Sequence, residues 1–121
     1  MNGSPFPLWW METIAEGNPR DVLALYAPTA VLVPTYSDRV LRGHKELLGY
    51  FNRFLGQRPG MTGTIDTITR QQPGYGLDIY SGTYTFYVPG EAPVPARYSF
   101  VVGPSRHGPT ILNHHSSAMP S

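Results

Sequence analysis

The sequence predicts an α+β fold: three helices come first, and a strongly bent antiparallel sheet follows, curling around them and leaving a pocket between. Three observations carry this. Between Arg42 and Gln57 the apolar residues Leu47, Leu48, Phe51, Phe54 and Leu55 recur at i, i+1, i+4, i+7 and i+8, which is one face of a helix. After the Arg58-Pro59-Gly60 turn the composition switches to β-branched and aromatic residues. These fall in four runs separated by short Pro/Gly turns, the pattern of an antiparallel meander.

Each element has its own local reason. Leu8 to Glu16 carries Trp9, Trp10, Met11 and Ile14 without an internal Gly or Pro, and Gly17 suits the left-handed position that closes a helix. Asn18 is a good N-cap and Pro19 a favoured first helical residue, so a second short helix is expected over Pro19 to Tyr26, ended by Pro28. Ala30-Val31-Leu32-Val33 reads as a short strand running into Pro34, whose missing N–H ends pairing and leaves Thr35 at a rim. The third helix follows, with Tyr50 beside its apolar stripe. The four sheet runs are Thr62 to Gln71, Leu77 to Val88, Val94 to Val102 and Thr110 to Ser117. The 121 residues suffice for one core and not for two, so residues 1–121 are taken as a single domain.

Composition excludes several function classes. Nine Lys+Arg against eight Asp+Glu give a formal charge of +1 with no basic cluster, so nucleic acid is not an expected partner. No apolar run approaches the roughly 20 residues of a membrane span, and Met1 to Pro7 lacks the pattern of a secretory leader. A cytoplasmic protein without membrane contact is therefore expected. Zero cysteines remove disulfides, thiolate catalysis and sulfur-ligated zinc, and the four histidines show no chelating spacing, so neither metal nor cofactor is expected. Charged residues are 14% of the chain against about 25% in typical proteins, which suits a surface partly covered by a second copy.

The residues richest in chemistry close the chain, Asn113-His114-His115-Ser116-Ser117. On a strand Asn113, His115 and Ser117 share one face and His114 and Ser116 the other. A histidine, a serine and a tyrosine together can form a hydrogen-bonding pocket for a small oxygen-rich substrate; the same residues can equally be sheet histidines bonded to neighbouring strands.

Gly17-Asn18-Pro19 with Val22 and Leu25-Tyr26-Ala27, Ala30 to Thr35, Tyr50-Phe51 with Phe54-Leu55, Gly82 to Phe86, Pro95 to Phe100 and His114 to Pro120 occur in one order. Together they resemble the calcium/calmodulin-dependent kinase II association-domain family of the NTF2-like superfamily. The closing His-His-Ser-Ser-Ala-Met-Pro string resembles its iota-class carbonic anhydrase branch, with Asn113 standing where that branch has a third histidine. The resemblance implies an NTF2-like cone and metal-free hydration of CO2 to bicarbonate. It implies catalytic roles for Thr35, Tyr50, His115 and Ser117, with substrate contacts from Tyr84 and Arg97. In that mechanism His115, whose unperturbed pKa is near 6.5, takes the proton of a water held by the three hydroxyls, and activity falls below about pH 6.

Two other readings stay open. A non-catalytic association or ligand-binding module would use the outer sheet face for a homodimer. An isomerase or cyclase would need a buried carboxylate, for which Asp38, Asp66 and Asp78 are the nearby strand acids. Arg97 could also hold Glu12, Glu16 or Asp66 rather than a ligand.

Overall fold

Chain punctuation and apolar spacing mark three helices, but they do not all come first: two strands precede the third, so the expected order of helices followed by sheet is corrected. In the computed structural model, which describes residues 5–120, α1 spans Phe6–Glu16, α2 Pro19–Leu23 and α3 Gly43–Gly56. The leader reading lies partly on residues 1–4, outside that range. Helix α1 buries Phe6, Trp10, Met11, Thr13 and Ile14 along one face and closes on Gly17 at φ 81°. The Asn18 carboxamide accepts from the Arg20 amide at 2.9 Å and starts α2. Glu46 accepts from the Arg42 amide at 3.0 Å, reaching back over the first turn of α3. The stripe of α3 is buried at Leu47, Tyr50, Phe51, Phe54 and Leu55, so Tyr50 belongs to the core face rather than beside it.

The strands are β1 (Tyr26–Val33), β2 (Leu41–Arg42), β3 (Thr62–Gly74), β4 (Leu77–Tyr87), β5 (Val94–Gly103) and β6 (Thr110–Ala118). They form one sheet in the order β2-β1-β6-β5-β4-β3. The expected all-antiparallel sheet is corrected here: β6 returns between β1 and β5 and pairs with β1 in parallel, with Leu32 beside His114 and Val33 beside His115. A mixed sheet results because the chain leaves β1 through β2, α3 and three further strands before it comes back. Helix α2 ends three residues earlier than predicted, and Tyr26 opens β1 instead. Pro28 is accommodated in an exposed irregularity where the β1–β6 register shifts between Tyr26 and Val31.

Helices α1 and α3 cover one face of the sheet, α1 against β3 and α3 against β1. The layer between them is mostly aromatic. Trp10 stacks on Tyr84 at 5.6 Å, Tyr50 on Phe54 at 5.5 Å and His114 on Phe100 at 4.0 Å between ring centroids. Such rings bury large areas and hold defined mutual orientations, so a polar atom placed among them stays where it is put. Among the described residues no helix is long and apolar enough to cross a membrane.

Candidate functional site

Aromatic walls leave a small cavity between α1, α3 and the inner sheet face. Trp10 from α1, Tyr50 and Phe54 from α3, Tyr84 and Phe86 from β4 and His114 and Ser116 from β6 line it, with Pro34 and Thr35 at the end of β1. Its free volume is about 20 Å3. A water needs roughly 10–15 Å3 on that measure, so the space suits one water or another molecule of very few atoms.

A run of hydrogen bonds leads to this cavity, and its direction can be worked out by counting protons. The Trp10 indole can only donate, and it does so to the Tyr26 hydroxyl at 3.0 Å. The proton of Tyr26 then goes to His114 Nδ1, 2.8 Å away. With Nδ1 accepting, the neutral ring carries its proton on Nε2, which faces the Tyr84 hydroxyl at 3.3 Å. Tyr84 in turn donates to Ser116 Oγ at 2.5 Å. The Ser116 proton has Thr35 Oγ1 as its partner at 2.6 Å. Either hydroxyl of that last pair can donate; with Ser116 donating, its buried proton is satisfied and the chain ends at the cavity on Thr35 with that residue's own proton left over.

Burial keeps every member neutral. Complete desolvation, with the adjacent His115 adding to it, pushes the His114 imidazole down to about 3. Desolvation raises the phenols of Tyr26, Tyr84 and Tyr50 well above their ordinary 10, and Arg58 opposes this at Tyr50. The site therefore offers oriented dipoles rather than ions near neutral pH.

Thr35, Tyr50 and Tyr84 lie at the pocket, as the resemblance implies. His115 and Ser117 do not: His115 is exposed on the outer sheet face beside Ser99, and Ser117 lies half-buried beside Arg97. The cause is a β-bulge. Val102 pairs with Ile111 but Val101 with Asn113, so Leu112 is an extra residue. Ile111 points inward, and an unbroken strand would carry Asn113, His115 and Ser117 inward with it. The bulge reverses the alternation and turns His114 and Ser116 to the core instead. Arg97 is likewise exposed, between Thr83 and Ser117, and reaches neither the pocket nor a carboxylate among the described residues.

Sequence reasoning missed Trp10, Tyr26, His114 and Ser116. Their one available signal was that each is a polar-tipped residue within a buried element. The strand acids stay outside: Asp66 accepts from Thr64 and Thr85, Asp78 pairs with Arg70 at 2.9 Å, and Asp38 is exposed. No group of three His, Asp or Glu side chains converges among the described residues.

Residues 9–105 match the model of the SnoaL-like domain. The chain belongs to the SnoaL-like domain family. This SnoaL-like domain has the NTF2-like α+β architecture. At 35% identity and a TM-score of 0.87 it is similar to a protein from Xanthomonas campestris described as a candidate calcium/calmodulin dependent protein kinase II association domain; the match covers 96% of this chain and 84% of that one. A candidate dehydratase of the NTF2-like family from Streptomyces avermitilis shares the fold, with 13% identity, a TM-score of 0.84 and coverage of 95% and 92%. So does the yeast UBP3-associated protein BRE5, at 21% identity, a TM-score of 0.79 and coverage of 96% and 92%. No functionally curated protein matches the sequence of this chain.

Proposed function

We propose that this domain hydrates CO2 to bicarbonate in the cavity between α1, α3 and the sheet, using neutral hydroxyls as donors. The observation that carries the reading is the hydrogen-bond chain from Trp10 to Thr35, which ends on a hydroxyl at a space of about 20 Å3; with Ser116 donating to it, Thr35 keeps its own proton for a ligand. The resemblance of the closing string, His114 to Pro120, to the iota-class carbonic anhydrases selects the reaction.

In the step proposed, CO2 sits in the cavity and the oxygen of a water at its mouth attacks the carbon. A C–O bond forms, one C=O electron pair moves to oxygen, and a water proton leaves to solvent at the cavity mouth. The Thr35 and Tyr50 hydroxyls meet the charge that develops on the CO2 oxygens. Tyr84, Ser116 and His114 hold Thr35 in its donating orientation, and Trp10 with Tyr26 holds His114 in the required tautomer. This replaces the His115 base of the sequence reading, because His115 faces away and His114 is too weakly basic to take a proton near pH 7. Catalysis then rests on orientation and charge stabilisation, for which one preorganised donor is typically worth about 10²–10³-fold.

Stopped-flow CO2 hydration with purified protein tests this. Activity above the buffer rate, lowered about a hundredfold in Thr35→Val with the fold intact, is expected; absence of any protein-dependent rate refutes the reading. The second reading is a binding or association module, and the missing base within the pocket favours it. It keeps the homodimer through the outer sheet face and predicts no hydration at all.

A further inference from the structure

Outside the cavity, and sharing Tyr50 and Phe54 with it as walls, lies a larger groove of about 450 Å3 bordered by Tyr36, Ser37, Asp38, Arg53 and Arg58. Two guanidinium groups and one carboxylate leave it with a net positive charge. Among the described residues neither arginine is in an ion pair; the pair there joins Arg70 to Asp78. Arg58 is held in place without using up its charge. Its guanidinium carbon sits 4.1 Å from the centroid of Tyr36 and 4.9 Å from that of Phe54, and Nη1 donates to the Phe54 carbonyl at 3.1 Å. One of five N–H donors is spent, and the rest of the planar fork is free.

We infer that this groove is a binding site for a small oxyanion, with Arg58 as the main anchor and Arg53 as the second charge. A fixed guanidinium with spare donors matches a planar carboxylate-like group in two parallel hydrogen bonds. Its wall, Tyr50, is also a wall of the inner cavity, so an anion formed inside would meet Arg58 on its way out. The groove's affinity for oxyanions stands on its own geometry, while the choice of bicarbonate as occupant rests on the hydration reading.

The test is an NMR titration of 15N-labelled protein with sodium bicarbonate at pH 8, with ionic strength held constant by sodium chloride. Saturable shifts at Ser37, Asp38 and the Arg58 side chain are expected. Arg58→Gln should weaken binding about ten- to a hundredfold. The exposed Arg53→Gln variant, which has little folding role to lose, should weaken it by a smaller factor. Shifts that never saturate, or equal affinity in both variants and the wild type, overturn the inference. So do shifts centred on Thr35 and Ser116 that vanish in Thr35→Val, because the anion would then sit in the inner cavity. A protein that binds bicarbonate here yet hydrates no CO2 keeps the groove and refutes the hydration reading; the reverse result refutes the groove alone.

Discussion

Acid should destabilise this protein through one residue, His114, well before its carboxylates are protonated. The ring is 2% exposed, stacked on Phe100, and bonded to Tyr26 and Tyr84, whose phenols stay neutral across the range. Its pKa is about 3 in the folded chain against an ordinary 6.5. The unfolded state therefore binds the extra proton first, and stability rises with pH throughout the interval between those values. Less than about 0.5 kcal/mol is lost above pH 6.5, about 2 kcal/mol is lost by pH 5, and the full effect approaches about 5 kcal/mol below pH 3. For a chain of this length 2 kcal/mol corresponds to roughly 6–10 °C in Tm.

The assay is urea denaturation of the wild type and of His114→Asn from pH 8 to pH 4.5. Asparagine keeps an acceptor for the Tyr26 hydroxyl and cannot titrate. It loses the ring stacking, a cost that does not vary with pH. The carboxylates and the histidines away from His114 are common to both proteins and cancel; His115, which helps depress His114, contributes only through that residue's own shift. The wild type should lose about 2 kcal/mol relative to the variant between pH 8 and pH 5. Parallel curves would refute the buried neutral imidazole, and with it the direction assigned to the hydrogen-bond chain.

Three further outcomes follow from the same geometry. Tyr84→Phe strands the buried His114 Nε2–H and removes the donor to Ser116 Oγ, which keeps its bond to Thr35, and should cost about 1–3 kcal/mol in denaturant unfolding. For Gly82→Ala, a Cβ would collide with the Thr67 carbonyl, which already accepts from the Tyr98 hydroxyl at 2.9 Å; a loss of about 1–3 kcal/mol is expected from the same melts. The pH dependence of kcat/KM for CO2 hydration should show no ionisation of a pocket group between pH 5 and 8, since His114 is already neutral at pH 5 and the phenols remain protonated at pH 8. An inflection near 6.5 would restore a histidine base.

Much of the fold was legible because its signals are local. Gly17, Asn18-Pro19 and the α3 stripe set the helices through capping and periodicity, and the Pro/Gly turns separate β3 to β6. The parallel insertion of β6 beside β1 was not legible, since partner choice between distant strands leaves no mark on either one alone. Thr35, Tyr50 and Tyr84 were found at the pocket, two of them fixed by Pro34 and the α3 periodicity. His114 and Ser116 were lost to their neighbours because Asn-His-His-Ser-Ser has no apolar–polar alternation from which to read its face. A single inserted residue, Leu112, decides that face, and only the pairing of Val101 and Val102 reveals it. Tyr26 was read as helical for a related reason: its place in β1 depends on pairing with Ile111 rather than on its own surroundings in the chain.

The most direct test of the hydroxyl pocket is 18O exchange between labelled bicarbonate and water, which follows CO2 hydration at chemical equilibrium. Label loss faster than in buffer alone is expected for the wild type, and loss close to the buffer rate for a folded Thr35→Val variant. Label loss at the buffer rate in the wild type, or undiminished exchange in Thr35→Val, would contradict it.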